Sequence, residues 1–311
     1  MRFILLALCS IFILSCHHTA AVSVKTDTTA VETTKTTHAL TLELMDKCGI
    51  NEQIGNVPEK TKAEVLECFK RNESILGKIS DQVVEEINGI IGRSFNPDII
   101  RAMLAEHIEK TLSPSDMLAV ITWLDSPLGL KLTAIEKIAS TPEAYREMIE
   151  FIPLVKQSPD YEERLQLVHE IDTSVKATEL IVDRMLNMQI ITISAMASAF
   201  PDMDLPSEQL IRADFEKNRK DISQAIAREI ALSIFFTYRN ISKEEIREYI
   251  RFMKTDHGVR YHDVIQEGSN KAYTFCGKKF SEAVVKRIKD RESSSDTART
   301  EPPVMQYPQA Q

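Results

Sequence analysis

The chain has 311 residues, 43% of them apolar, with only 9 glycines and a formal net charge of −8. A chain this acidic, without a basic cluster, is a poor match to nucleic acid or to anionic lipid, because both attract positive charge. Few glycines and aromatics beside abundant Leu, Ile, Ala, Glu and Lys point to an all-α protein.

Met1-Arg2 gives a positive start, and residues 3–14 are almost wholly apolar. That run is too short to span a bilayer and is laid out like a secretory signal. Ile13-Leu14-Ser15-Cys16 follows, with a small residue directly before the cysteine. The stretch resembles the lipobox of bacterial lipoproteins. The resemblance implies a signal peptide over 1–15, cleavage before Cys16, and lipid attachment at Cys16. An ordinary signal with an incidental cysteine is the alternative. Acyl chains at about 0.8 kcal/mol per buried CH₂ anchor permanently when several act together. His17 stands where inner-membrane lipoproteins often carry Asp, so the resemblance implies the outer membrane, with the body in the periplasm. Residues 16–38 are rich in Thr, and nothing among them buries enough surface to offset ordering. They read as a flexible tether.

The body divides into two candidate repeat domains, 39–157 and 158–292, followed by a polar, Pro-containing tail over 293–311 expected to be disordered. Pro58 opens a helix to about Asn72, and Ser80 or Asp81 starts another. Asn96-Pro97 caps a third. Ser113, Ser126 and Thr141 each precede Pro or lie at a Pro-led start, the pattern of an N-cap followed by Pro in the first turn. "QSPDYEE" reads as a break between halves. An apolar segment around 177–200 comes next, then one long helix or a pair from Ser207 to about Arg239. Cys48 ends one helical stretch and Cys68 lies in the next. A disulfide between them would staple a helical hairpin and contribute roughly 3 kcal/mol in the chain-entropy model; two buried free thiols are the alternative.

Two stretches align without a gap at an offset of 129: "LSPSDMLAVITWLDSPLGLK" from Leu112 to Lys131 and "ISKEEIREYIRFMKTDHGVR" from Ile241 to Arg260. Ser113 and Asp116 have capping-box spacing, as do Ser242 and Glu245. Met117, Val120, Ile121 and Leu124 match Ile246, Tyr249, Ile250 and Met253, one apolar stripe at helical spacing. Trp123 and Phe252 flank it. Ser126-Pro127 and Thr255-Asp256 then end one helix and cap a second. Gly129 and Gly258 fall in the first turn of that second helix, where a missing side chain lets another backbone approach. Lys131 and Arg260 follow. The unit is a helix–corner–helix. "LELMDKC" from Leu42 and "LQLVHEI" from Leu165 extend the match at an offset of 123, so two tandem copies of a helical bundle-like unit are expected.

A capping box, an aromatic near the helix end and Ser-Pro-x-Gly-x-Lys together resemble the bacterial domain of unknown function 2059, whose members are small, helical and exported. "TWLDSPLGLK" fits that pattern with Trp123-Leu124 in place of an aromatic pair. "RFMKTDHGVR" keeps the glycine and a basic residue but has Thr-Asp for Ser-Pro. The resemblance implies no activity and carries over no catalytic residue.

No nucleophile elbow, P-loop, dinucleotide fingerprint, CxxC or zinc-helix histidine pair is present. His257, His262 and Asp263 approach a cluster but diverge on one helix. Lys131 and Arg260 pair with neighbouring acids or, as the alternative, bind an anion near a helix start. Met185, Met188 and Met196 sit on a helix apolar nearly all round. They are core residues or, in the alternative, an adaptable groove for a lipid or apolar peptide. The expectation is a non-enzymatic module with no cofactor or metal, partnered by the membrane through Cys16 and by an envelope protein.

Overall fold

The computed structural model describes residues 35–71, 80–157, 160–199 and 204–300, all helix and short connections, with no strand among them. Cys16, the signal, most of the tether and the end of the tail lie outside the described residues. Helices α1 (Thr37–Lys47), α2 (Ile50–Arg71), α3 (Asp81–Ser94), α4 (Pro97–Thr111), α5 (Pro114–Leu124), α6 (Pro127–Ala139) and α7 (Pro142–Phe151) lead to a 3-10 segment (Ile152–Gln157). Helices α8 (Tyr161–Val175), α9 (Ala177–Ala199), α10 (Glu208–Thr237), α11 (Lys243–Met253) and α12 (Asp256–Thr300) follow.

Side chains set most of these boundaries. Thr36, Ser80, Asn96, Ser113, Ser126, Thr141, Ser207 and Ser242 each accept a bond from a free backbone N–H at a helix start. Pro occupies the first turn of α4, α5, α6 and α7, where its absent N–H costs nothing.

In the first half α1 packs on α2, α4 and α5, α2 packs on α3, α4 and α6, and α5 packs on α6. In the second half α8 packs on α9, α10 and α11, α9 packs on α10 and α12, and α11 packs on α12. Helix α10 runs unbroken over 30 residues, whereas α3 and α4 are separated at Phe95-Asn96. The halves share one contiguous apolar core, from Leu40 and Ile54 through Trp123 and Ile234 to Phe280. Helix α12 runs across the first half, against α3, α4 and α5, and against α9 in the second. It extends to Thr300, into the stretch expected to be a disordered tail.

The Cys48–Cys68 bridge is not formed: Cys48 is a buried free thiol. The expected hairpin put a loop between Cys48 and Pro58, but α2 starts at Ile50 and carries Pro58 inside it. Eighteen residues of helix at about 1.5 Å per residue then separate the start of α2 from Cys68, roughly 27 Å, whereas a disulfide needs Cα atoms within about 7 Å. Cys48 instead packs at the α1–α2 turn and donates to the Met45 carbonyl.

Candidate functional site

The two aligned stretches form two corners with the same helix limits, 114–124 then 127 onward and 243–253 then 256 onward. In the first, Ser113 Oγ accepts from the Asp116 N–H at 3.1 Å. Met117, Val120, Ile121 and Leu124 are buried, and Trp123 is 2% exposed. Ser126 Oγ accepts from the Gly129 N–H at 3.0 Å, and the chain turns through 86°. In the second, Ser242 and Glu245 form the full capping box, with the Ser242 N–H donating to Glu245 Oε2 at 2.9 Å. Thr255 Oγ1 accepts from the Gly258 N–H at 3.1 Å.

The glycines are fixed by backbone proximity. A Cβ on Gly129 would stand 2.4 Å from the Trp123 carbonyl oxygen, and one on Gly258 would stand 2.1 Å from that of Phe252. Any side chain there would push the second helix off the end of the first.

The corners meet each other. Trp123 and Phe252, equivalent in the alignment, stack with ring centroids 5.2 Å apart and planes at 17°. Lys131 Nζ binds Glu245 Oε1 at 2.7 Å. Its counterpart Arg260 binds Asp116, the counterpart of Glu245, with Nε to Oδ2 at 3.1 Å and Nη2 to Oδ1 at 2.7 Å. Each corner's basic residue thus reaches the other corner's cap carboxylate. His257 Nδ1 also contacts Asp116 Oδ1.

The side chain of Asp116 is only 8% exposed. The Arg260 guanidinium holds its carboxyl well below the usual range against the opposing effect of burial, with Ser113 and His257 assisting. Lys131 lowers Glu245 in the same way, again opposed by burial and helped by the Ser242 cap.

Of the other sequence-derived candidates, Met188 is buried with its thioether against Gly277, and Met196 is buried against Val285. Met185 is partly buried on the main core. Helix α9 is long and apolar enough to cross a membrane, yet it packs along α10 and α12. Met188 and Met196 thus pack as core, and Met185 lies at its edge. His257 turns to Asp116 and Asp263 to Lys176, while His262 is buried, so these three do not converge. Among the described residues no group of three His, Cys, Asp or Glu side chains could hold a metal ion. A surface groove of about 660 Å³ lies between α2, α4 and α6, lined in part by Asn51, Asn56, Arg101 and Ile138. Its charges are engaged, Lys137 with Glu52 and Arg101 with Asp98.

Sequence reasoning missed a buried polar cluster beside the corners. Glu136 of α6 is 3% exposed, and its Oε1 accepts from the Tyr238 hydroxyl. The signal was present: Glu136 lies four residues after the fully buried Leu132 and three after Thr133, on the inward face of its helix.

No known protein family, curated protein or solved structure matches the chain. The resemblance to the domain of unknown function 2059 therefore rests on the corner residues alone.

Proposed function

We propose that the protein is an internally duplicated, non-catalytic helical module. Its two corners close on each other as a pseudo-dimer, and Cys16 carries it as a lipid-anchored protein of the outer membrane with its body in the periplasm. The reciprocal pairs Lys131–Glu245 and Arg260–Asp116 about the Trp123–Phe252 stack carry this reading. Such contacts follow the rule of an isologous two-fold interface, in which residue i meets j and j meets i. The Ser-Pro-x-Gly-x-Lys signature is then a dimerisation corner, and its polar groups are occupied by structure. What remains for a partner is the surface. The run from α7 into the 3-10 segment exposes Ile149, Ile152 and Leu154, apolar side chains suited to covering by an envelope protein.

Cross-linking in intact cells followed by fractionation tests the reading. Wild type is expected in the membrane fraction with a reproducible protein partner, and Cys16→Ser in the soluble fraction. Unchanged fractionation of Cys16→Ser removes the anchor, and the absence of any reproducible partner removes the interaction role.

A further inference from the structure

Among the described residues, the seam between the halves contains a carboxyl group with no cation beside it. Glu136 projects from α6 of the first half towards Tyr238 at the end of α10, with Tyr249 of α11 and Tyr261 of α12 close by, all buried. The Tyr238 and Tyr249 rings meet edge-on with centroids 5.7 Å apart. Three oxygens of the cluster, Glu136 Oε2, Thr133 Oγ1 and the Tyr261 hydroxyl, are buried without a regular hydrogen-bond partner. Tyr261 faces the Cys48 sulfur, a weak acceptor.

The other charges near α6 point elsewhere. Lys131 pairs with Glu245 of α11 and Lys137 with Glu52 of α2, Asp116 of α5 and Asp125 just after it pair with Arg260 and Lys47, and Glu143 and Glu147 of α7 pair with Arg146 and Arg239. The titratable groups facing Glu136 are thus Tyr238, Tyr249, Tyr261 and Cys48, each neutral when protonated.

We propose that Glu136 is a proton-controlled latch on this seam: neutral, it lies closed under the three tyrosines, and ionised, it opens α6 from α10, α11 and α12. A lone carboxylate without a counter-charge is among the most costly groups to keep out of water. Burial accordingly raises the Glu136 carboxyl well above its ordinary value, with the Tyr238 hydrogen bond opposing. The sign follows. Below the unfolded carboxyl's value both states are protonated and the contribution is complete. As pH rises from there towards the folded value, only the unfolded chain ionises and stability is lost.

The latch rests on the two-half reading of the corners, and a nicked chain separates the two ideas. A specific protease site placed between Gln157 and Asp160 allows the folded full chain to be cut, and size-exclusion chromatography from pH 5 to 9 follows the pieces. Wild-type pieces are expected to co-elute at low pH and part as pH rises, while those of Glu136→Gln stay together throughout. In urea, the wild-type folding constant should fall by up to about tenfold per pH unit across the interval, and that of Glu136→Gln should stay flat. Tyr238→Phe should extend the decline to higher pH without moving its onset, since it raises only the folded value by removing the bond that favours the anion. Parallel pH profiles for wild type and Glu136→Gln, or co-elution of both at every pH, overturn the latch. Separation of both at every pH overturns the seam as well.

Discussion

The two corners share helix limits, cap hydroxyls and glycine contacts, yet they use their cap carboxylates differently. Glu245 closes its own capping box through Oε2 and bridges to Lys131 through Oε1. Asp116 is one methylene shorter. It bonds the Ser113 hydroxyl and gives its remaining capacity to Arg260 and His257 across the seam, leaving the backbone N–H of its own cap without it. Side-chain exposure follows suit, 8% for Asp116 against 31% for Glu245. The longer acid serves its helix and the seam from a half-wet position, whereas the shorter one is committed to the seam and buried there. One CH₂ decides whether a carboxylate can cap and bridge together.

The largest expected effect is on what the corners have in common. Trp123→Ala should cost about 3–5 kcal/mol, and Phe252→Ala the lower end of the same range, read from urea midpoints at pH 7. The double variant should cost less than the sum, because both truncations open one shared cavity. Strict additivity would mean that the rings do not support each other. Trp123→Phe is the sharper variant. The indole Nε1 is buried without a partner, so removing it recovers part of the lost packing and makes the two aromatics identical.

The corner architecture was legible in the sequence because caps, apolar stripe and glycine act within a dozen residues, where spacing is geometry. The start of α2 was not legible. Pro58 signals a first turn, but it lies inside a helix whose Ile54, Val57 and Val65 are buried, and core burial outweighs one lost backbone bond. That shift removed the expected Cys48–Cys68 bridge. Lys131 and Arg260 were legible as ion-pair residues. Their partners were not, since each lies more than a hundred residues away across a seam that periodicity does not place. Glu136 was hidden for the opposite reason: a lone Glu within a helix reads as a solvated face, and only its register against Leu132 says otherwise.

The next effect separates the corners by pH. Asp116→Asn keeps the shape and removes the charge, leaving Arg260 without its partner. It should cost about 1–2 kcal/mol at pH 7, reduced because Arg260 and His257 stand half in solvent. The folded carboxyl is depressed, so its stabilisation is present above the unfolded value and is lost as pH falls through the folded one. Wild type should therefore lose stability below about pH 4 more steeply than Asp116→Asn, as followed by thermal unfolding at pH 2, 4 and 7. Identical acid slopes would show that Asp116 gains nothing from the seam.

The smallest effect is the most discriminating. Glu245→Gln retains a side chain able to complete a capping box while losing the charge that meets Lys131. A double-mutant cycle with Lys131→Met then isolates the bridge from the cap. Both partners are substantially wetted, at 31% and 44% side-chain exposure, so the coupling should be about 0.2–1 kcal/mol and should fade with added salt. The matching cycle of Asp116→Asn with Arg260→Met should give a larger coupling that salt weakens less, because that carboxylate is buried and held by two guanidinium nitrogens. Equal couplings in the two cycles would erase the distinction between a carboxylate that caps and bridges and one that only bridges. The chain would then have two equivalent corners despite their different acids.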